Sequence, residues 1–325
     1  MPRGPTQRRP KTLPGIRIGH ASDFRGLTGC TVILCEGGGV CGVDIRGSAA
    51  GTRELAPCLP GHIVDRVHAV LLTGGSAYGL DAAAGVMQYL ESRGVGFRAG
   101  GNRIPIVPAA VIFDLAVGSP RARPDAGMAK RACRAASRNV AEGSVGAGTG
   151  ATVGKLFGIS RATKGGAGFA SLRMARGVVV QALAVVNAFG DVVDPATGRV
   201  IAGARAAASS NTFVGTTAQM LRGKSSKGFG ATNTTLVVVM TNARLDKLQA
   251  TKVAQMAQDG LARAVSPVHT MFDGDLVFSL SVGSKRSDVN ALGAAAAQVT
   301  AAAILKAVKK ANGLGGVPAW KDLQR

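Results

Sequence analysis

Hydrophobic residues recur along this chain with two periods, and the places where one gives way to the other mark out its elements. Short β-branched runs bounded by glycine or polar residues read as strands, and apolar residues three or four apart read as helices. Residues 29–35 and 39–45 are two strand runs separated by Glu36-Gly37-Gly38, which predicts a hairpin. Residues 67–72 predict a buried strand that delivers Thr73-Gly74-Gly75-Ser76-Ala77-Tyr78-Gly79 into a helix over residues 80–93. Residues 104–114 predict a second buried strand region, residues 127–138 a basic helix, and residues 177–186 a strongly apolar strand ending at Asn187. Residues 198–230 are rich in Ala, Ser, Thr and Gly and read as a flexible polar linker. That polar run stops abruptly at Thr234-Thr235-Leu236-Val237-Val238-Val239-Met240, a buried strand with a hydroxyl at its mouth. A helix capped by Asp246 follows over residues 246–264, then a strand opened by Asp273-Gly274-Asp275, then an alanine-rich helix over residues 289–310. Both ends, residues 1–14 and the stretch up to Arg325, read as loose. Strands and helices in this alternation imply a layered α/β body.

Composition narrows the picture. With 325 residues, 46% of them hydrophobic, the chain can bury a large core. Its 46 glycines and 4% aromatics imply close packing of small residues. The net charge of +21 raises nucleic acid as a partner, but the basic residues are scattered, 28 against 12 acidic up to Asn233 and 11 against 6 after it. No aromatic platform or zinc-finger spacing accompanies them, so a solvated basic surface is the expectation, without nucleic acid. The five cysteines include no C-x-x-C pair. No secretory signal opens the chain and no apolar run approaches membrane-spanning length, so a cytoplasmic protein with reduced thiols and no membrane contact is expected.

The chemistry concentrates at Thr234. Were the bond between Asn233 and Thr234 cut, Thr234 would carry its hydroxyl and a free α-amine on one residue. An α-amine titrates near about 7.7–8.0, so at neutral pH it can accept the hydroxyl proton and activate an otherwise weak nucleophile. The plain alternative is a strand that opens with two threonines. Elsewhere familiar motifs fail. The segment 74–79 is not a nucleophile elbow, since Tyr78 stands where G-x-S-x-G needs glycine, nor a dinucleotide loop. Residues 143–155 miss the phosphate loop, because Thr149 replaces its first glycine and Leu156 the magnesium-binding hydroxyl. Lys155 does end a glycine-rich loop, which can place a positive charge beside an amide oxygen. Asn187, at a strand end, reads by itself as a turn former. Asp273 and Asp275, at i and i+2, can face the same way at a strand entrance; the fuller calcium loop is missing.

Asn233-Thr234-Thr235, the strand into Thr241-Asn242-Ala243, Pro267-Val268-His269-Thr270, Asp273-Gly274-Asp275, and upstream Gly74-Gly75-Ser76-Ala77-Tyr78-Gly79-Leu80-Asp81 together resemble one family. It comprises L-aminopeptidase/D-Ala-esterase enzymes, β-peptidyl aminopeptidases and 6-aminohexanoate-oligomer (nylon-oligomer) endohydrolases. The resemblance implies a four-layer αββα sandwich of the N-terminal-nucleophile type, one catalytic domain cut into an α part (residues 15–233 after the basic tail 1–14, with the linker 198–233 ending at the cut) and a β part (residues 234–325). It places Lys155 on the family's active-site lysine, Asn187 on an asparagine supporting the oxyanion, and Asp273 and Asp275 beside the nucleophile, where they would orient its hydroxyl and amine. Ser76 and Tyr78 fall in a segment lining the active-site region and are candidate substrate contacts; His269 is left outside the catalytic set as a structural hydrogen-bonder. No metal or organic cofactor is implied. The partners implied are a small amide or oligoamide substrate, the chain's own two fragments, and further αβ units in a homo-oligomer.

Substrate choice follows the finer motifs. β-Aminopeptidases carry an amine-gripping glutamate where this chain has Ile106-Val107-Pro108-Ala109-Ala110-Val111, and the Asn-Thr-Thr start and Asp-Gly-Asp pair look like the nylon-oligomer branch. An amide hydrolase of 6-aminohexanoate-type oligomers is therefore the first expectation and a β- or L-aminopeptidase the second. A matured but inactive binding scaffold, or an acyltransferase like the related ornithine acetyltransferase, stands behind both.

Overall fold

The structure, a computed structural model, describes residues 9–225 and 233–324; the first eight residues of the expected basic tail, residues 226–232 of the expected linker, and Arg325 lie outside the described residues. Near-continuous Val, Leu and Ala runs need cover on both faces, and the chain provides it by stacking layers. Among the described residues nine strands form the main sheet: β1 (Arg17–Asp23), β2 (Thr28–Ile45), β3 (Thr52–Arg53), β4 (Val67–Thr73), β5 (Ala109–Val111), β6 (Gly166–Arg173), β7 (Val179–Asn187), β8 (Thr234–Ala243) and β9 (Leu276–Lys285). Their order is β6-β7-β8-β9-β2-β4-β5-β3, with β1 also paired to β2. The helices are α1 (Ala83–Glu91), α2 (Ala126–Ala135), α3 (Thr216–Leu221), α4 (Lys247–Ala264) and α5 (Val289–Lys310).

Strand parity assigns each side chain to a layer, because successive residues point to opposite faces. Val237 and Val239 of β8 join Ala182 and Ala184 of β7 in a core shared with α4 and α5, whereas Leu236, Val238 and Met240 face an inner core with Leu183, Phe278 and Ile33. On the other side Val32, Leu34, Ala69 and Leu71 pack under α1 and α2, while Ile33, Val70 and Leu72 face inward. Three cores separate four layers, and the fold is the αββα sandwich.

The predicted hairpin is corrected. Residues 28–45 are one 18-residue strand that serves both sheet halves: residues 28–34 pair with β1, residues 40–45 pair with β9, and the register against β4 shifts between Leu34 and Gly39. Gly38, at φ 78°, and its neighbours supply a bulge, not a reversal, and the Arg66 guanidinium donates to the Gly38 carbonyl. A hairpin would have spent both halves on each other and left β4 and β9 without a common partner.

Other expectations shift in the same direction, toward more order. The helix expected from residue 80 is a 3₁₀ segment (Ser76–Ala82) continued by α1. The linker is ordered through residue 225: it contains a short strand, Val200–Ala202, and α3, pinned by the buried Asp191 carboxylate, which accepts the Ala204 N–H and both the N–H and hydroxyl of Thr216. Of the expected tail, Thr12 and Leu13 are buried, and the Thr12 N–H donates to the Arg138 carbonyl. Near the other end Leu314 and Val317 bridge and Trp320–Asp322 form a turn. The cysteines are free and buried. Contrary to the sequence reading, α5 is by length and composition long and apolar enough to cross a membrane, at a mean hydropathy of 1.6 over its best window, yet 67% of that window is buried inside the fold.

That burial depends on glycine. A Cβ at Gly168 of β6 would stand 2.1 Å from the Ala303 carbonyl oxygen of α5, so Gly168→Ala forces the helix off the sheet. The expected loss is about 1–3 kcal/mol in urea denaturation. Gly37→Ala, where nothing lies within 4 Å, should stay within about 0.5 kcal/mol of wild type. Equal midpoints for the two variants would refute the close packing of α5.

Candidate active site

Backbone pairing alone brings distant segments together where β8 begins. β8 runs antiparallel to β7 with Thr234 opposite Asn187, and parallel to β9 with Leu236 opposite Leu276. This register sets the last residue of β7 and the residues just before β9 on either side of Thr234. Asn233 extends the pairing as a parallel bridge to Asp273: its N–H donates to the Phe272 carbonyl and its carbonyl accepts the Gly274 N–H, both at 2.7 Å. The Thr234 hydroxyl donates at 2.5 Å to that same Asn233 oxygen, and Thr234 is only 3% exposed.

Both carboxylates flank this point, but neither hydrogen-bonds the Thr234 hydroxyl, which departs from the expectation that they orient it directly. Nearby donors satisfy them instead. Asp275 accepts the Thr235 N–H at 2.7 Å on one oxygen; the other lies 2.9 Å from His269 Nδ1 and accepts the His269 N–H at 3.1 Å. Asp273 accepts the Phe189 N–H at 3.0 Å and the Thr270 hydroxyl at 2.5 Å. Burial, and then the neighbouring Asp275 charge, push the Asp273 carboxyl up to about 6.

Lys155 is buried beside Asn187 and donates through Nζ to its main-chain oxygen at 2.9 Å and its side-chain oxygen at 2.8 Å. The Asn187 side-chain oxygen also accepts the Thr152 N–H, and its amide donates to the Phe113 carbonyl at 3.0 Å. Two donors on one oxygen fix which way the amide points. Burial lowers Lys155 to about 7, opposed by the Asp273 charge. The site therefore holds a hydroxyl against a carbonyl, an N–H on that carbonyl, and an acid and a base that both titrate near neutrality. That is equipment for adding a hydroxyl to an acyl group. Among the described residues no group of three or more His, Cys, Asp or Glu could hold a metal ion.

The sequence profile of peptidase family S58 matches residues 12–319. The chain belongs to peptidase family S58. Similar S58-type sequences include an uncharacterized aminopeptidase of Mycobacterium tuberculosis, 41% identical over 95% of this chain and 96% of that protein, and the 6-aminohexanoate-oligomer endohydrolase of Paenarthrobacter ureafaciens, 32% identical over 91% and 85%. Among solved structures, the Burkholderia sp. beta-aminopeptidase superposes with a TM-score of 0.68 at 21% identity, covering 98% of this chain and 94% of that one. The L-aminopeptidase D-Ala-esterase/amidase of Ochrobactrum anthropi, described as a variant of the Ntn hydrolase fold, does so with 0.71 at 16% identity, covering 94% and 87%. These last two speak for the fold. This S58 chain is an amide or peptide hydrolase.

Of the other candidates, Ser76 and Tyr78 are not brought to the Thr234 hydroxyl. Ser76, at φ 54°, donates its N–H to the Ile112 carbonyl, and Tyr78 is 55% exposed beneath the Arg123 guanidinium. Sequence reasoning missed a second buried cluster in the S58 chain. Asp114 accepts the Thr28 hydroxyl and the Gly75 N–H, each at 2.7 Å, and fully buried Lys164 donates to the Thr149 carbonyl. Burial raises Asp114 and lowers Lys164 to about 7. The available signal was Asp114 at the end of the apolar run 104–113; Lys164 follows Ser160-Arg161-Ala162-Thr163 and carried none.

The raised Asp273 carboxyl has a consequence for stability. Its folded value, about 6, exceeds the ordinary 3.8, so its contribution is fully present below about pH 4 and is lost as pH rises through about 6. Asp273→Asn, compared with its parent in a Thr234→Ala background, should gain on it by about 2 kcal/mol between pH 4 and pH 7 in urea denaturation. A difference that stays constant across that range would contradict the raised value.

Proposed function

We propose that this protein cuts itself between Asn233 and Thr234, and that Thr234, as a new N-terminus, is the nucleophile of a linear-amide hydrolase. The observation that carries the reading is the Thr234 hydroxyl buried against the Asn233 carbonyl, with Asp273, Asp275, Asn187 and Lys155 gathered around it. In maturation the hydroxyl adds to the Asn233 carbonyl, the amide becomes an ester, and water resolves it. In turnover the freed amine takes the hydroxyl proton and returns it to the departing amine of the substrate; water then hydrolyses the acyl-enzyme. Lys155 fixes Asn187, and Asp273 and Asp275 fix the strand entrance on which the nucleophile sits.

For the substrate, oligomers of the 6-aminohexanoate type come first. Support comes from the 32% identical endohydrolase and from residues 106–111, which are buried and apolar and offer no acid to an ammonium group. The second reading, an aminopeptidase, is favoured by the 41% identity to the mycobacterial protein. Incubation with 6-aminohexanoate oligomers beside L-aminoacyl anilides, read by chromatography, separates them. Assembly of several αβ units in the cytoplasm belongs to the same proposal.

Denaturing electrophoresis with N-terminal sequencing tests the core of the reading. Wild type should give fragments of 233 and 92 residues, the smaller one beginning at Thr234, and Thr234→Ala one intact chain without amide turnover. An intact, fully active wild type would end the proposal. In the cut enzyme Lys155→Met, which frees the Asn187 side chain it holds, should lower kcat about 100-fold, the order expected when a group supporting the reacting centre is lost; unchanged kcat would take Lys155 out of the machinery.

A further inference from the structure

Among the described residues the carbonyl oxygen of Asn233 accepts hydrogen bonds from the Thr234 hydroxyl and from the Gly274 N–H at 2.7 Å. When a hydroxyl adds to a carbonyl, negative charge develops on that oxygen, and a donor already aimed at it lowers the barrier. The side chains expected to do this bond other groups: one N–H of the Asn187 amide goes to Phe113, and Lys155 donates to Asn187, whereas the Gly274 N–H is already on the reacting oxygen. We infer that the backbone N–H of Gly274 is the oxyanion donor, first for the cut at Asn233 and then, at the same place, for the substrate amide. This rests on Thr234 being the nucleophile.

Two further observations support it. The N–H is held by bonds that do not pass through Asn233. The Asp273 carbonyl accepts the Ala49 N–H, the Asp275 carbonyl accepts the N–H groups of Arg46 and Gly47, and the Asp273 side chain is held by Phe189 and Thr270. Departure of Asn233 therefore leaves the donor in place, and a substrate carbonyl can take the position vacated. The approach also requires glycine. A Cβ at residue 274 would lie 2.8 Å from the Thr234 hydroxyl oxygen and 2.8 Å from the Ala49 carbonyl oxygen, and one at Gly47 would lie 2.3 Å from the Asp273 oxygen. Asn233 is aligned by its own N–H on Phe272, so its carbonyl points along the Gly274 N–H as a bridged strand residue does.

In turnover the Thr234 oxygen forms a bond to the substrate carbonyl carbon as its proton passes to the Thr234 amine. The oxygen of the adduct carries the charge against Gly274. The carbon–nitrogen bond then breaks, and the leaving nitrogen takes the proton from the amine. Water adds to the ester, meeting the same N–H a second time, and releases the acid and the threonine hydroxyl.

Replacing Gly274 with glycolic acid, by nonsense suppression in cell-free synthesis of the full chain, turns this N–H into an ester oxygen without adding a Cβ. Self-cutting should slow about 100- to 1000-fold against wild type made the same way. In whatever cut enzyme accumulates, kcat should fall with KM little changed on the amide that wild type hydrolyses. Lactic acid in place of Ala49, which removes the N–H bonded to Asp273, should leave cutting within a few-fold. The Thr234→Ala form of the ester chain should melt near its all-amide counterpart, which confirms folding. Cutting of the 274 ester at the wild-type rate, equal slowing by both esters, or loss of folding in the ester chain overturns the assignment of Gly274 alone. A wild-type chain that is not cut while remaining active overturns the nucleophile reading, and this inference with it.

Discussion

The parallel bridge between Asn233 and Asp273 is the constraint on which the rest of the site depends. Two backbone hydrogen bonds, from Asn233 to Phe272 and from Gly274 to Asn233, lay the peptide before β8 along the turn before β9. Everything else follows from strand register. Once Leu236 faces Leu276 and Thr234 faces Asn187, the carboxylates at residues 273 and 275 and the amide at residue 187 have no freedom to be elsewhere. The sandwich thus positions chemistry by pairing strands, which is cheaper in entropy than ordering long side chains one at a time.

What the strands bring together is electrostatically costly. Lys155, Lys164, Asp114, Asp273 and Asp275 are all nearly inaccessible to water. Isolated charges in such a place are strongly disfavoured, so each group is either hydrogen-bonded or shifted toward its neutral form. Asp273 moves up to about 6 and both lysines move down to about 7. Stability is given up to hold groups whose proton affinities converge near neutral pH. An interior designed for stability alone would carry apolar residues at these positions.

The layers were legible in the sequence because period two and period 3.6 survive in unbroken runs; α5 spans the residues its pattern predicts, and α4 begins at the capping residue Asp246. The break in β2 was misread because Glu-Gly-Gly has the composition of a turn whether the chain reverses or bulges, and only the partners of each half decide between them. The linker was misread for a related reason. Its small polar residues carry no periodicity, and its order comes from Asp191, a carboxylate distant in the fold's logic though near in sequence. At the site, the residue types were readable from motifs. The backbone donors were not, since every residue except proline has an N–H and only geometry says which one is aimed.

The proposed cut at Asn233–Thr234 would also have to leave a protein behind. The residues after the cut supply β8 and β9 from the middle of the sheet and the two long helices α4 and α5. β8 is paired with β7 from before the cut, β9 with β2, and α5 closes over β6 and β7. Separation of the two pieces would open all these ladders and expose the core beneath α4 and α5, so breaking one peptide bond leaves the assembly intact. On the other side of the cut, the strand Val200–Ala202 and Thr216 stay anchored through β7's continuation and Asp191.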